Sequence, residues 1–362
     1  MARPGLPSLI TLGLLLVARC GLASPSLHEE ELLRDGVTVL RQVVDRALLA
    51  DIADASNALI DSDATQHLQR DAFTGSLIPV TKSSAFLPLI THAPTLDALA
   101  AAGLGDARWL SGYVISKPPS SPSLGWHQDA WYWDEANAYG EAPVQLFAMF
   151  YLTNTSRDNG CLRAIPGSHR RPHALHGLLD AAHSEDVRGA EDWAAQPAHQ
   201  TWDGEVDVAV DVGDVVVGDA RVLHAAHANN STERRTVITM WFMPRFSDYS
   251  REFRARTEGL HVHLARDLYS DWPAAAVAKA APYLPISRPV GEVAVVSDGD
   301  EYDHNLDAMV RAPGWTGTDA ASARAYQSWR RAAAPRGWLR RARDGLARRA
   351  RGALARVLPQ RK

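Results

Sequence analysis

Cysteine is nearly absent: the 362-residue chain has two, Cys20 and Cys161. Two cannot build a disulfide framework, and neither lies in a CxxC pair or zinc-finger spacing. A metal is therefore sought among histidines and carboxylates, and Cys161 reads as a core residue. There is no Gly-rich phosphate loop and no internal repeat. The apolar run Leu12–Val17 stops at Arg19 and is too short to span a bilayer comfortably. Net charge is only −4, which gives no reason to expect a nucleic-acid partner. Acid is scarce in one place. Residues 323–362 carry many Arg and a single acid, Asp344.

What is present describes an ordinary soluble protein. Hydrophobic content is 46% and charged content 22%, and the length suits one large domain or two small ones. Residues 1–25 form a leader whose short basic start, apolar centre and small residues resemble a secretory signal. The rest of the chain reads as cytoplasmic. A globular domain spans residues 26–300, and residues 301–362 form an Arg-rich extension. In that extension Leu339, Ala342, Leu346, Ala350, Ala353 and Val357 fall on one face at helical spacing. A basic amphipathic helix of that kind suits peripheral contact with an anionic membrane.

Within the domain, a helix is expected from Ser26 to Arg34, ended by Gly36. A strand follows at Val37–Leu40, and the apolar spacing of Arg46–Ile60 predicts an amphipathic helix. Helical segments between Phe86 and Ala101 are interrupted by Pro88 and Pro94. Further strands are expected at Trp109–Ser116, Pro143–Leu152, Cys161–Ile165, Val206–Val212, from Val215 and over Thr236–Met243. Many short strands separated by turns predict a β-sandwich or barrel rather than βαβ units. The long polar connection over residues 170–204, with a short helix near Ala174–Ala182, reads as a lid.

Chemistry concentrates in Trp126-His127-Gln128-Asp129-Ala130-Trp131-Tyr132-Trp133. Residues i and i+2 of a strand project from one face, so His127 and Asp129 can grip one ion. Two histidines and a carboxylate make the facial triad of non-haem iron oxygenases. A second histidine and a cationic anchor are available in the stretch from His224 to Arg235. In an extended segment His224 and His227 point oppositely, as do Arg234 and Arg235. Periodicity leaves both pairs open. Arg is the apt anchor for a dicarboxylate because its planar fork binds bidentately and does not titrate.

Together these pieces resemble the phytanoyl-CoA dioxygenase family of Fe(II)/2-oxoglutarate oxygenases. The matching residues are Lys117-Pro118-Pro119, Trp126-His127-Gln128-Asp129, Asp158-Asn159-Gly160-Cys161-Leu162 and Pro166-Gly167-Ser168-His169. Gly213-Asp214, His224, Asn229, Ser231 and Arg235 complete them. Order and spacing match from about residue 28 to residue 244. The resemblance implies a mainly β fold: a double-stranded β-helix (jelly-roll, cupin-like) core with flanking helices. In the family the distal histidine precedes the anchoring arginine by eleven positions, which selects His224 and Arg235 here.

The implied metal ligands are His127, Asp129 and His224, and the implied 2-oxoglutarate anchor is Arg235. Where relatives carry Ser two residues after the distal histidine, this chain has Ala226, and Lys117 is the expected substitute contact to the cosubstrate. Trp131 and Trp133 are candidate walls of the substrate pocket. Relatives that halogenate replace the carboxylate with a small residue, so Asp129 points to hydroxylation. The implied cofactors are Fe(II), 2-oxoglutarate and O2, acting on a small-molecule or lipid-like substrate. Two other readings stay open at this stage. One is a jelly-roll isomerase or lyase without 2-oxoglutarate, and the other a non-catalytic scaffold brought to membranes by its tail.

Overall fold

The computed structural model describes residues 27–62, 75–132, 136–179 and 193–286. The leader over 1–25, the Arg-rich extension over 301–362, Trp133 and part of the expected lid lie outside them. Among the described residues, ten strands form two antiparallel sheets. The strands are β1 (Val37–Leu40), β2 (Ile78–Pro79), β3 (Arg108–Lys117), β4 (Leu124–His127), β5 (Leu146–Tyr151), β6 (Leu162–Ala164), β7 (Val206–Val208), β8 (Val215–Asp219), β9 (His224–Ala226) and β10 (Arg235–Met243). The larger sheet runs β1-β8-β5-β10-β3-β2 and the smaller β4-β9-β6-β7. This is the double-stranded β-helix core with helices packed outside.

The larger sheet is buried on both faces, and its strands show it. In β5 every residue is apolar and buried. Ala148 and Phe150 face the helices, while Phe147, Met149 and Tyr151 face the smaller sheet. β10 alternates in the same way. Ile238, Met240 and Phe242 join the helix side, and Val237, Trp241 and Met243 join the inner side. Strict alternation carries Arg235 inward with Val237 and Trp241, and turns Arg234 outward.

Two helices, the first expected from its capping residues and the second from its apolar spacing, cover the outer face. α1 (Leu27–Asp35) ends at Gly36, whose φ of +84° is the left-handed conformation that glycine adopts without strain. α2 (Arg46–Ser62) buries Leu49, Ile52, Ser56 and Ile60 on one stripe. Farther on, α3 (Arg251–Leu264) packs on β3 and buries Phe253, Leu260 and His261.

Two expectations change. The alternating segment over residues 206–212 pairs as a strand only to Val208. Beyond it, the Val210 carbonyl accepts from the Thr155 N–H, and the Val212 N–H donates to Asn154 Oδ1. Side-chain and loop partners thus replace the ladder. The expected helix near Ala174 is a single 3-10 turn, Ala174–Gly177, in which the His173 and His176 side chains cap each other's backbone. Among the described residues, no helix is long and apolar enough to cross a membrane.

A buried ion pair ties the sheet to the segment around the site. The Arg221 and Asp219 side chains are 2.6 Å apart and nearly solvent-free. Arg221 also donates to the carbonyls of Ala138 (2.9 Å) and Gly140 (2.7 Å). The cation is thereby satisfied on several sides, which a buried charge requires. This holds residues 136–141 against the end of β8.

Candidate metal centre and cosubstrate site

His127 and His224 are register partners across β4 and β9. Direct cross-strand neighbours bring side chains together, and the two imidazole centroids lie 4.1 Å apart. β4 ends at His127, so Asp129 is not placed by continuation of the strand. Its N–H donates instead to the Ala220 carbonyl at 2.8 Å, and Gln145 Nε2 donates to its carbonyl at 2.9 Å. These two bonds return the Asp129 side chain to the face that His127 occupies.

The result is convergent. Asp129 Oδ1 lies 3.5 Å from His127 Nε2, and Oδ2 lies 3.6 Å from His224 Nε2. One ligand atom from each of the three lies within 4.8 Å of the other two. A divalent ion with bonds of about 2.1 Å needs cis ligands about 3 Å apart, so a small contraction around an ion suffices. The histidine tautomers also fit. His127 Nδ1 lies 2.8 Å from the Gly125 carbonyl and His224 Nδ1 lies 3.0 Å from the Val222 carbonyl. A carbonyl can only accept, so Nδ1 carries the hydrogen and Nε2 presents a lone pair to the centre. Burial alone would raise the Asp129 carboxyl pKa. His224, His127 and the Trp241 indole overturn that and hold the carboxyl well below the usual range. It is therefore ionised, as a ligand must be.

The two adjacent arginines point in different directions. Arg234 is exposed and pairs with Asp61 at 3.0 Å. Arg235 is buried, and its Nε has no hydrogen-bond partner. Its guanidinium lies 5.9 Å over the Tyr151 ring, whose hydroxyl burial pushes up to about 12. Across the ladder, Arg235 is the register partner of Lys117. Lys117 is also buried, and that burial, reinforced by Arg235, lowers its amine to about 7. Two cations thus share one buried face.

Asn229 fixes this arrangement. Its Nδ2 donates to the carbonyls of Lys117, Pro118 and Glu233, and its Oδ1 accepts from the N–H and hydroxyl of Ser231. One amide therefore joins the end of β3 to the start of β10. Gly160 adjoins the pair. Its φ is +90°, and a Cβ there would meet the His227 carbonyl at 3.0 Å and the Lys117 side chain at 3.5 Å.

Among the remaining sequence candidates, His227 leaves the centre and bonds Asp207 at 2.6 Å. Trp131 is half-buried and lies 5.9 Å from Trp241, ring to ring. Three residues were not foreseen. Trp241 Nε1 donates to Asp129 Oδ2 at 3.0 Å. Gln145 holds the Asp129 carbonyl and accepts from the Trp131 N–H at 3.1 Å. Tyr151 lies beneath Arg235. A polar Gln immediately before an apolar strand is the signal that could have found Gln145. Trp241 is detectable by sharing the parity of Arg235.

This fold brings together three side chains that could hold a metal ion and, nearby, two buried cationic side chains. The phytanoyl-CoA dioxygenase (PhyH) family profile matches residues 32–237, more than half of the chain, and the chain belongs to that family. It is 28% identical over 126 residues to a probable alpha-ketoglutarate-dependent hypophosphite dioxygenase of Stutzerimonas stutzeri, covering 35% of this chain and 41% of that protein. It is 28% identical over 159 residues to phytanoyl-CoA dioxygenase domain-containing protein 1 of Rattus norvegicus, covering 42% and 51%. The matched stretches thus span about half the length of these relatives. Among solved structures, HygX from Streptomyces hygroscopicus, with nickel and 2-oxoglutarate bound, is 18% identical with a TM-score of 0.46, covering 61% of this chain and 89% of that one. The non-heme alpha ketoglutarate dependent epimerase SnoN is 20% identical with a TM-score of 0.44, covering 60% and 81%.

The indole hydrogen bond to the Asp129 carboxylate yields a test. Trp241→Phe keeps the ring and removes the donor. Loss of such a ligand-orienting bond typically lowers metal affinity about 10- to 100-fold. Competition titration against a chelator should show that weakening, with the thermal transition little changed.

Proposed function

We propose that the protein is an Fe(II)/2-oxoglutarate-dependent dioxygenase that hydroxylates an unactivated C–H of a small-molecule or lipid-like substrate. One observation carries the cosubstrate assignment. Arg235 is a buried guanidinium with no ion-pair partner among the described residues, and Lys117 lies directly across the ladder from it. An uncompensated buried charge costs several kcal/mol. A dicarboxylate cosubstrate supplies the missing anion, and Arg meets a carboxylate with two parallel hydrogen bonds.

His127, Asp129 and His224 would hold Fe(II) on one face and leave three positions open. Bound Fe(II) with 2-oxoglutarate and O2 supplies the oxidative decarboxylation that yields succinate, CO2 and hydroxylated product. The chain's own part is orientation and exclusion of water. Gly125 and Val222 fix the imidazole tautomers, Trp241 and Gln145 fix Asp129, and Asn229 sets Lys117 beside Arg235. Trp131, with Trp241 behind it, forms an aromatic wall of the substrate pocket, and Trp133 belongs to the same proposal. Asp129 fills the position that halogenating relatives leave open, which favours hydroxylation. Residues 26–300 constitute the catalytic domain. The Arg-rich extension brings a cytoplasmic enzyme to anionic membrane surfaces.

Two expectations follow. Purified protein with Fe(II), 2-oxoglutarate and O2 should form succinate. Arg235→Leu should raise the apparent KM for 2-oxoglutarate at least roughly 30-fold, because truncating a buried charged partner costs about 2–5 kcal/mol. Turnover of an identified substrate without 2-oxoglutarate would overturn the proposal and restore the isomerase or lyase reading.

The second is a pH dependence. The Lys117 amine titrates at about 7 because it is buried beside Arg235. Below that pH it is charged and attracts the dicarboxylate. Above it, binding must recruit a proton. The 2-oxoglutarate affinity, measured anaerobically by calorimetry, should therefore fall as pH rises through neutrality, and the fall should flatten in Lys117→Met.

A further inference from the structure

We propose that Cys161, Asp207 and His227 form a second metal site, suited to a thiophilic divalent ion such as Zn2+, on the outer face of the smaller sheet. Each residue offers a ligand atom within 4.8 Å of the other two. The sheet register explains why. The His227 N–H donates to the Cys161 carbonyl at 3.0 Å, so the two residues lie across from each other beside the β6–β9 pairing. Asp207 is the partner of Arg163 on β7. Arg163 is two residues from Cys161 and shares its face. Three adjacent segments of a rigid ladder thus aim three donors at one point.

The spacing of three between His224 and His227 makes this site separate from the first. His224 faces Asp129, whereas His227 faces Asp207. The donor sets also differ. The first centre contains no sulfur. The second combines thiolate, imidazole and carboxylate, a set that favours zinc-like ions over iron and leaves a fourth, tetrahedral position for water. Access is from solvent: Cys161 is buried, but the Asp207 and His227 side chains are 26% and 15% exposed. Arg157 lies 2.9 Å from Asp207 and is 70% exposed, so it can swing away when an ion arrives. The ion would replace the 2.6 Å His227–Asp207 hydrogen bond with two metal bonds and displace the thiol proton.

The test uses Co2+ as the probe on the full chain, without oxygen. Wild-type protein should bind a second equivalent and show a sulfur-to-cobalt charge-transfer band in the near ultraviolet. The band should vanish in Cys161→Ser and weaken strongly in Asp207→Asn and His227→Gln, two changes at the solvent edge that spare the core. It should persist in Asp129→Ala, and prior Zn2+ should suppress it. Wild-type protein without the band, a band retained in both Asp207→Asn and His227→Gln, or a band lost in Asp129→Ala would overturn the proposal. None of these outcomes depends on the 2-oxoglutarate reading.

Discussion

Burying a guanidinium is costly unless an opposite charge meets it, and the inner face of β10 buries one at Arg235 without such a partner among the described residues. Much of the surrounding architecture serves to keep that face intact. The Asn229 amide locks the Lys117 end of β3 to the approach of β10 with three donated hydrogen bonds. Gly160, at a φ of +90°, lets the neighbouring turn pass close to the His227 carbonyl, which a Cβ would approach to 3.0 Å. The same strand then carries Trp241 to Asp129. β10 is thus one rigid element that touches Asp129 through its Trp241 indole and buries the Arg235 guanidinium at its start. Pairing with β3 on one side and β5 on the other holds it at both edges.

The His127, Asp129 and His224 cluster shows a complementary economy of charge. Asp129 is a carboxylate in a buried site, where the Trp241 indole N–H donates to it. Against the effect of burial, its charge raises the pKa of His224 and so favours a proton on the facing imidazole until an ion replaces it. Each imidazole is in turn fixed by a backbone carbonyl two residues earlier in its own strand or turn. Cofactor sites need this kind of pre-set geometry, since a ligand that must reorient weakens binding. Arg221 and Asp219 extend the support outward by holding residues 136–141 against β8.

Much of this was legible in the sequence because the site lies on extended segments with a period of two. That period separates His224 from His227 and Arg234 from Arg235, although it cannot say which member points inward. The resemblance made the choice. The register of β4 with β9 sets His224 opposite His127, and the outward ion pair of Arg234 with Asp61 leaves Arg235 on the inner face. The continuous apolar run of β5 announced a strand, and its burial on both faces explains why it does not alternate. Other features were not legible because they depend on distant partners. The stretch over residues 209–212 looks like strand but is captured by Asn154 and Thr155. Asp129 looks like a strand residue but is held by Ala220 and Gln145. Trp241 and Tyr151 acquire roles only when β10 meets β5 and the turn after β4. Cys161, read as inert core, gains neighbours from β7 and from beyond β9 that no linear spacing reveals.

The most direct test of the account is spectroscopic and anaerobic. Fe(II)-loaded protein is titrated with 2-oxoglutarate while the weak visible charge-transfer band of an iron–keto-acid chelate is followed. The account predicts a band that grows to saturation in the wild type and is absent in Asp129→Ala. Folded, iron-loaded wild-type protein that shows no band at any concentration of 2-oxoglutarate would contradict it.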